Sequence, residues 1–240
     1  DKEVDKELAK QKKQLGNRFD AYLAQQGLTE ETAKKQIRSN MLLEYAVNQA
    51  AKKDIKESDY KAAFESYTPE VTAQIIKLDS EDKAKEVLEA AKAEGADFAQ
   101  IAKDNSTDTA TKDKGGEVKF DSGTADIPSQ VKEAAFKLDE NGISDVITVS
   151  AGQNYSASYY IVKLNKKTEK GSDWKKYEKR LKEIIVDGRK QDTNYIRSII
   201  AKAMTNANIK VKDDAFKSTF NQYLQNIGVQ TSDSSSSSKK

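Results

Sequence analysis

The chain has 240 residues, with 41 Lys and Arg against 39 Asp and Glu, 33% charged residues, and neither cysteine nor histidine. That length exceeds a typical domain of ~100–150 residues, so two units are expected. The missing residue types exclude disulfides, thiolate or imidazole metal sites and every histidine-based triad, and a net charge of +2 is far from that of a dedicated nucleic-acid binder.

Along the chain, Phe19, Tyr22 and Leu23 make a stripe at helical spacing that ends at Gly27, a C-cap candidate. Thr29 is placed to cap the next helix, with Glu30 and Glu31 at its positive end. Ala33, Ile37, Met41 and Tyr45 follow at i+4 steps, widened by Leu42 and Leu43, and Ser58 can cap a third helix bearing Tyr60, Phe64 and Tyr67. These faces are read as core packing, in preference to a greasy groove for a client chain.

Both prolines, Pro69 and Pro128, and six of the eleven glycines fall within 69–167. Proline and glycine punctuate mixed structure and damage helices, so a mixed domain is expected between two helical arms. Alternation predicts strands over 70–78 and 157–164, with shorter ones at 117–120 and 145–149. Ser80 should cap a helix ending at Gly95, and Asp97 with Gln100 has the capping-box spacing. Gly115-Gly116 and Asn141-Gly142 read as turns, and Pro128 suits the first turn of a helix. The order β-α-α-β-α-β-β predicts a small sheet with packed helices. The C-terminal arm returns to helical spacing at Trp174, Tyr177, Leu181 and Ile184, then Ile196, Ile199, Ile200 and Met204, then Phe216, Phe220 and Leu224. The predicted division is 1–68, 69–167, 168–230 and a disordered Ser-rich tail at 231–240. The fold class is α+β, with the middle domain inserted into one discontinuous helical lobe.

No apolar run approaches the ~18–20 residues of a membrane span, and Asp1 opens no signal-peptide pattern. Phosphate-binding Gly-rich motifs, EF-hand loops, HExxH and GxSxG are all missing, so neither a metal nor a cofactor is expected. The abundant carboxylates and lysine runs read as solvated surface. The residues alone give a two-lobed binding protein.

Specific blocks go further: VTAQIIK (71–77), AKEVLEAAKAEGADFAQIAKDNSTD (84–108), KGGEVKF (114–120), AAFKL (134–138), NGISDVITV (141–149) and YYIVKL (159–164). This stretch resembles the parvulin peptidyl-prolyl isomerase domain. With its arms, the whole chain is similar to the PrsA-type foldase lipoproteins of Gram-positive bacteria, close to their streptococcal protease-maturation branch. Active parvulins place two histidines in the sheet beside a Cys or Asp, with a small apolar pocket for the substrate proline. By resemblance the catalytic positions fall on Gln74, Tyr160 and Asp108. Those of the substrate pocket fall on Asp126, Ile127, Val131 and Phe120. Both histidine positions are therefore replaced, which predicts weak or absent isomerase activity.

The resemblance implies unfolded or newly translocated secreted proteins as partners. It also implies a lipid anchor upstream of Asp1 holding the protein at the extracellular face of the membrane, and homodimerisation through the helical lobe in some relatives. The leading expectation is a foldase or chaperone; an active isomerase and a surface adhesion lipoprotein are the alternatives.

Overall fold

The computed structural model describes residues 1–150, 157–207 and 214–226. The expected tail at 231–240 lies outside them. Four antiparallel strands, β1 (Val71–Leu78), β2 (Glu117–Phe120), β3 (Ile147–Val149) and β4 (Ser158–Lys167), form a sheet in the order β2-β1-β4-β3. A strand's side chains alternate between faces, and that period sorts β1 into two sets. Val71, Ala73 and Ile75 join Val162 and Leu164 of β4, Phe120, and Val131 and Ala135 of helix α7 (Ser129–Lys137) in one core cluster. Ile76, Leu78 and Ile161 join Ala84, Val87 and Ala91 of α5 (Glu81–Lys92), together with Phe98 and Ala102 of α6 (Phe98–Asn105), in the other. Each large side chain so buried contributes ~1.5–3 kcal/mol.

Two helices of this unit start at the caps the sequence provides, whereas Ser58, the cap expected of the helix before the sheet, falls inside Glu57–Ser66. Ser80 Oγ accepts from the Lys83 N–H at 3.2 Å, and Asp97 Oδ1 from the Gln100 N–H at 3.1 Å. The Gln100 amide reaches forward to Asp104 at 2.9 Å, so only half of the expected capping box forms. Gly115 and Gly116 both have positive φ, at 66° and 79°. A Cβ on Gly116 would stand 2.5 Å from the Ile75 carbonyl oxygen, so this turn presses against β1 at a place where only glycine fits.

The chain enters and leaves this sheet through an aromatic cluster. Helix α4 (Glu57–Ser66) carries Phe64, which stacks on Tyr177 at 5.7 Å between centroids, and Tyr67 lies 5.4 Å from the same ring. Lys170 sits 4.4 Å over Phe64 and donates to the Phe64 and Glu65 carbonyls at the end of α4. Entry and exit segments thus pack with the sheet. The two compact units divide at Tyr60/Lys61 and Glu178/Lys179, outside the composition shift at 69 and 167.

The other unit joins the N-terminal segment to the chain from Lys179 onward. Its helices are α1 (Lys2–Leu15), α2 (Phe19–Gln25), α3 (Glu30–Lys53), α8 (Glu178–Gln191), α9 (Thr193–Asn206) and α10 (Asp214–Asn226). Thr29 caps α3, and Thr32 rather than a glutamate closes its box. Val4, Leu8, Phe19, Leu23, Ala33 and Ile37 form the core of α1–α3. Exposed ion pairs (Lys34–Asp5, Lys12–Glu30 and Arg38–Asp1) flank that core and add little each. The C-terminal arm is clasped to the N-terminal one by Arg189 of α8, which donates to Ala51 O at 2.9 Å and pairs with Asp59 Oδ2 at 2.8 Å.

The expectation that the apolar faces of the N-terminal arm are core fails on two helices. Leu42 and Tyr45 are 62% and 64% exposed, and Tyr22 of α2 is 45% exposed. At 3.6 residues per turn, three i+4 steps from Ala33 to Tyr45 rotate the face by about 120°. The stripe has left the core before it reaches Tyr45, and the buried line passes instead through Val47 and Ala51.

Candidate functional site

Tyr160 is half-buried and packs on the core cluster that contains Ile75 and Val162 of the sheet and Val131 of α7. In the β1–β4 register it stands opposite Lys77, one diagonal step from Ile75. Gln74 belongs to the other set of β1 positions. Its Nε2 donates to Gly115 O at 2.9 Å, and Gly115 lies against Ala99 of α6. Gln74 and Tyr160 therefore occupy opposite faces of the sheet, and the joint site expected of them does not form. The reason is the strict period of two: Val71, Ala73 and Ile75 already mark the face that Tyr160 shares, so Ile75 is the β1 residue there.

Asp108 sits in the turn that follows α6. Its Oδ1 accepts from the Ala110 N–H at 3.1 Å and its Oδ2 from Thr111 Oγ1 at 2.6 Å, while its own N–H donates to Ser106 Oγ at 3.2 Å. The turn is docked on β1, because the Thr107 N–H donates to Lys77 O at 2.8 Å and the Lys77 N–H to buried Ser106 Oγ at 3.1 Å. Since Lys77 pairs with Tyr160, this docking brings Asp108 into the neighbourhood of Tyr160. Burial, then the charge of Asp108, then that of Asp79, push the Tyr160 phenol above its ordinary pKa. The hydroxyl stays protonated at neutral pH and is a hydrogen-bond donor.

The four pocket residues separate. Val131 and Phe120 are 0% and 2% exposed, and the Phe120 ring tilts onto Phe136 at 5.8 Å. Both are core. Asp126 is exposed, and Ile127 alone is partly accessible and packed on the Tyr160 face. The loop that carries these two is held firmly. Buried Asp121 accepts from Tyr67 OH at 3.1 Å, the Gly123 N–H at 3.0 Å and Thr124 Oγ1 at 3.0 Å. Lys132 Nζ donates to the Ser122 and Thr124 carbonyls at 2.9 and 2.6 Å. Among the described residues no acidic cluster converges in the manner of metal ligands.

Chemically, the Tyr160 face offers one protonated phenol and an apolar floor. That set can bind a peptide carbonyl and a small apolar side chain. X–Pro isomerisation requires no bond to a nucleophile, only stabilisation of a twisted amide against a barrier of ~18–20 kcal/mol. Residue-by-residue alignment missed Ile75, Lys77 and Asp79 as neighbours of Tyr160. The alternation of β1 was the signal available in the sequence.

Residues 65–166 match the protein family described as rotamase, PPIC-type PPIase domain. Foldase protein PrsA of Streptococcus sanguinis is 61% identical over 228 residues, covering 95% of this chain and 68% of that protein. The Streptococcus gordonii protein of the same name is 58% identical over 239 residues, covering 100% of this chain and 75% of that one. The crystal structure of foldase protein PrsA from Streptococcus pneumoniae superposes with a TM-score of 0.84 at 54% identity, over 92% of this chain and 81% of that chain. The Lactococcus lactis foldase structure superposes with a TM-score of 0.71 at 36% identity, over 92% and 80%.

Proposed function

The chain belongs to the PrsA foldase family, and from that premise we propose that it holds newly translocated proteins while they fold at the outer face of the cell membrane. In this reading the lipid anchor implied upstream of Asp1 tethers it there. The parvulin-like unit contributes weak or no isomerase activity. One observation supports the last point above all. The β1 side chain on the face of Tyr160 is Ile75, which offers no hydrogen-bonding group, while Gln74 lies on the other face and donates to Gly115 O. Losing ~3–4 kcal/mol of transition-state stabilisation removes two to three decades of rate.

The test pairs two assays on the whole chain: suppression of aggregation by a refolding client that lacks proline-limited steps, and a protease-coupled proline-peptide assay. Suppression at near-stoichiometric chain with a peptide rate at background is the expected outcome. An isomerase rate like that of histidine-bearing parvulins would overturn it. Retained isomerase activity is the second reading, favoured by the protonated Tyr160 hydroxyl beside an apolar floor. It requires that Tyr160→Phe lower the peptide rate.

A further inference from the structure

Two open cavities adjoin along α3 in the helical unit. The first, about 450 Å³, has Leu43 and Val47 of α3 and Ile196 of α9 as its apolar wall. The second, about 430 Å³, is ringed by Lys52 of α3 and by Lys179 and Lys182 of α8. Asp187 and Lys190 line both.

The carboxylates in the second cavity are already engaged. Glu183 pairs with Arg180 at 3.0 Å, and Asp187 with Lys190 at 3.2 Å. Lys52, Lys179 and Lys182 make no ion pair or hydrogen bond among the described residues. With Lys190 the cavity is lined by four ammonium groups against the carboxylates of Glu183 and Asp187, and that positive excess favours an anion from outside. The span from Asn40 to Lys52, which line the outer ends of the two cavities, is about 18 Å at the helical rise. An extended chain covers that distance with about five or six residues.

We infer that these adjoining cavities form a binding groove for extended segments of unfolded protein in which apolar residues lie beside acidic ones. The apolar side chains enter between Leu43, Val47 and Ile196, and the carboxylates meet Lys52, Lys179 and Lys182. This deepens the foldase reading and rests on it, since it names the client feature that the helical unit selects. A phosphate polymer or lipid headgroup would satisfy the lysines but has nothing to place against the apolar wall. A purely apolar segment would leave the ammonium groups uncompensated.

Fluorescence anisotropy on the whole chain tests it with three short dye-labelled peptides: Leu and Val alternating with Glu, the same with Lys for Glu, and Glu alternating with Ser. The first should bind at least about tenfold more tightly than either of the others, and the margin over the Lys peptide should shrink with salt. The triple variant Lys52→Glu, Lys179→Glu, Lys182→Glu should reverse the preference toward the Lys peptide. Leu43→Ser should weaken the first peptide while leaving the choice of charge intact. Equal affinity for the Glu and Lys peptides, or an unreversed preference in the triple variant, overturns the inference. So does binding of inorganic polyphosphate or phosphatidylglycerol vesicles as tight as that of the first peptide and indifferent to Leu43→Ser. Client aggregation measured alongside separates the two failures. An unaltered chain that suppresses aggregation but shows no peptide preference removes the groove and leaves the foldase reading. One that prefers the first peptide but protects no client removes the foldase reading alone.

Discussion

In the unit Lys61–Glu178 large apolar side chains close on both faces of a sheet, and Phe98, Phe120, Ile76, Ile161 and Leu164 are all buried. In the helical unit a single cluster serves α1–α3, and the middle of α3 turns Leu42 and Tyr45 to water. A side chain sealed inside a two-faced core holds geometry but can touch nothing new. An apolar side chain left exposed holds little and is available to whatever arrives. The unit that resembles an enzyme thus keeps its large apolar side chains enclosed, while the helical unit leaves Tyr22, Leu42 and Tyr45 at the surface.

The contrast is broken or sharpened first by Phe98→Ala. Removing a fully enclosed phenyl group should cost the middle unit about 3–5 kcal/mol, read as a lowered urea midpoint for that unit's transition with the helical transition unmoved. A common shift of both would mean one cooperative block. Next comes Arg189→Met, which keeps the aliphatic stem but deletes the bonds to Ala51 O and Asp59. A loss of about 1.5–3 kcal/mol is expected in the helical transition alone.

A third measurement uses pH. Because the Tyr160 pKa is raised in the folded state, its contribution to stability is intact below the ordinary tyrosine value of 10.0 and is lost as pH rises through the elevated folded value. Tyr160→Phe should flatten that alkaline fall. Asp108→Asn should bring the titration of Tyr160 partway back, since burial is the larger cause. The smallest effect on stability is expected for Leu42→Ser with Tyr45→Ser, within about 0.5 kcal/mol. The same variant should lower client protection clearly. Undiminished protection would strip the exposed face of its role.

Much of this was legible in the sequence where one local rule decides. Thr29, Ser80 and Asp97 cap helices because a side-chain oxygen three residues ahead of an amide suffices. Gly115-Gly116 turns because nothing larger fits. The α+β order and the family resemblance rest on such local text. The site was read less well, because a slip of one residue along β1 exchanges the faces, and Gln74 for Ile75 is such a slip. Tyr45 was misplaced by the drift of i+4 steps around a long helix. The docking of Ser106–Asp108 on Lys77 joins segments some thirty residues apart, and no local spacing announces it.

The stacking of Phe64 on Tyr177 bears on the order in which the molecule assembles. The clasp of Arg189 on Asp59 closes a loop of 130 residues, and a newly made chain cannot complete it until α8 has emerged. The sheet unit is compact within Lys61–Glu178. Once it has folded, with its entry and exit segments held ring against ring, the loop left for the helical arms is several-fold shorter. That lowers the entropy of closure by roughly 1–2 kcal/mol. The inserted unit then acts as a splint for its host: its folding brings the two halves of the helical unit to the same place before they have any contact of their own.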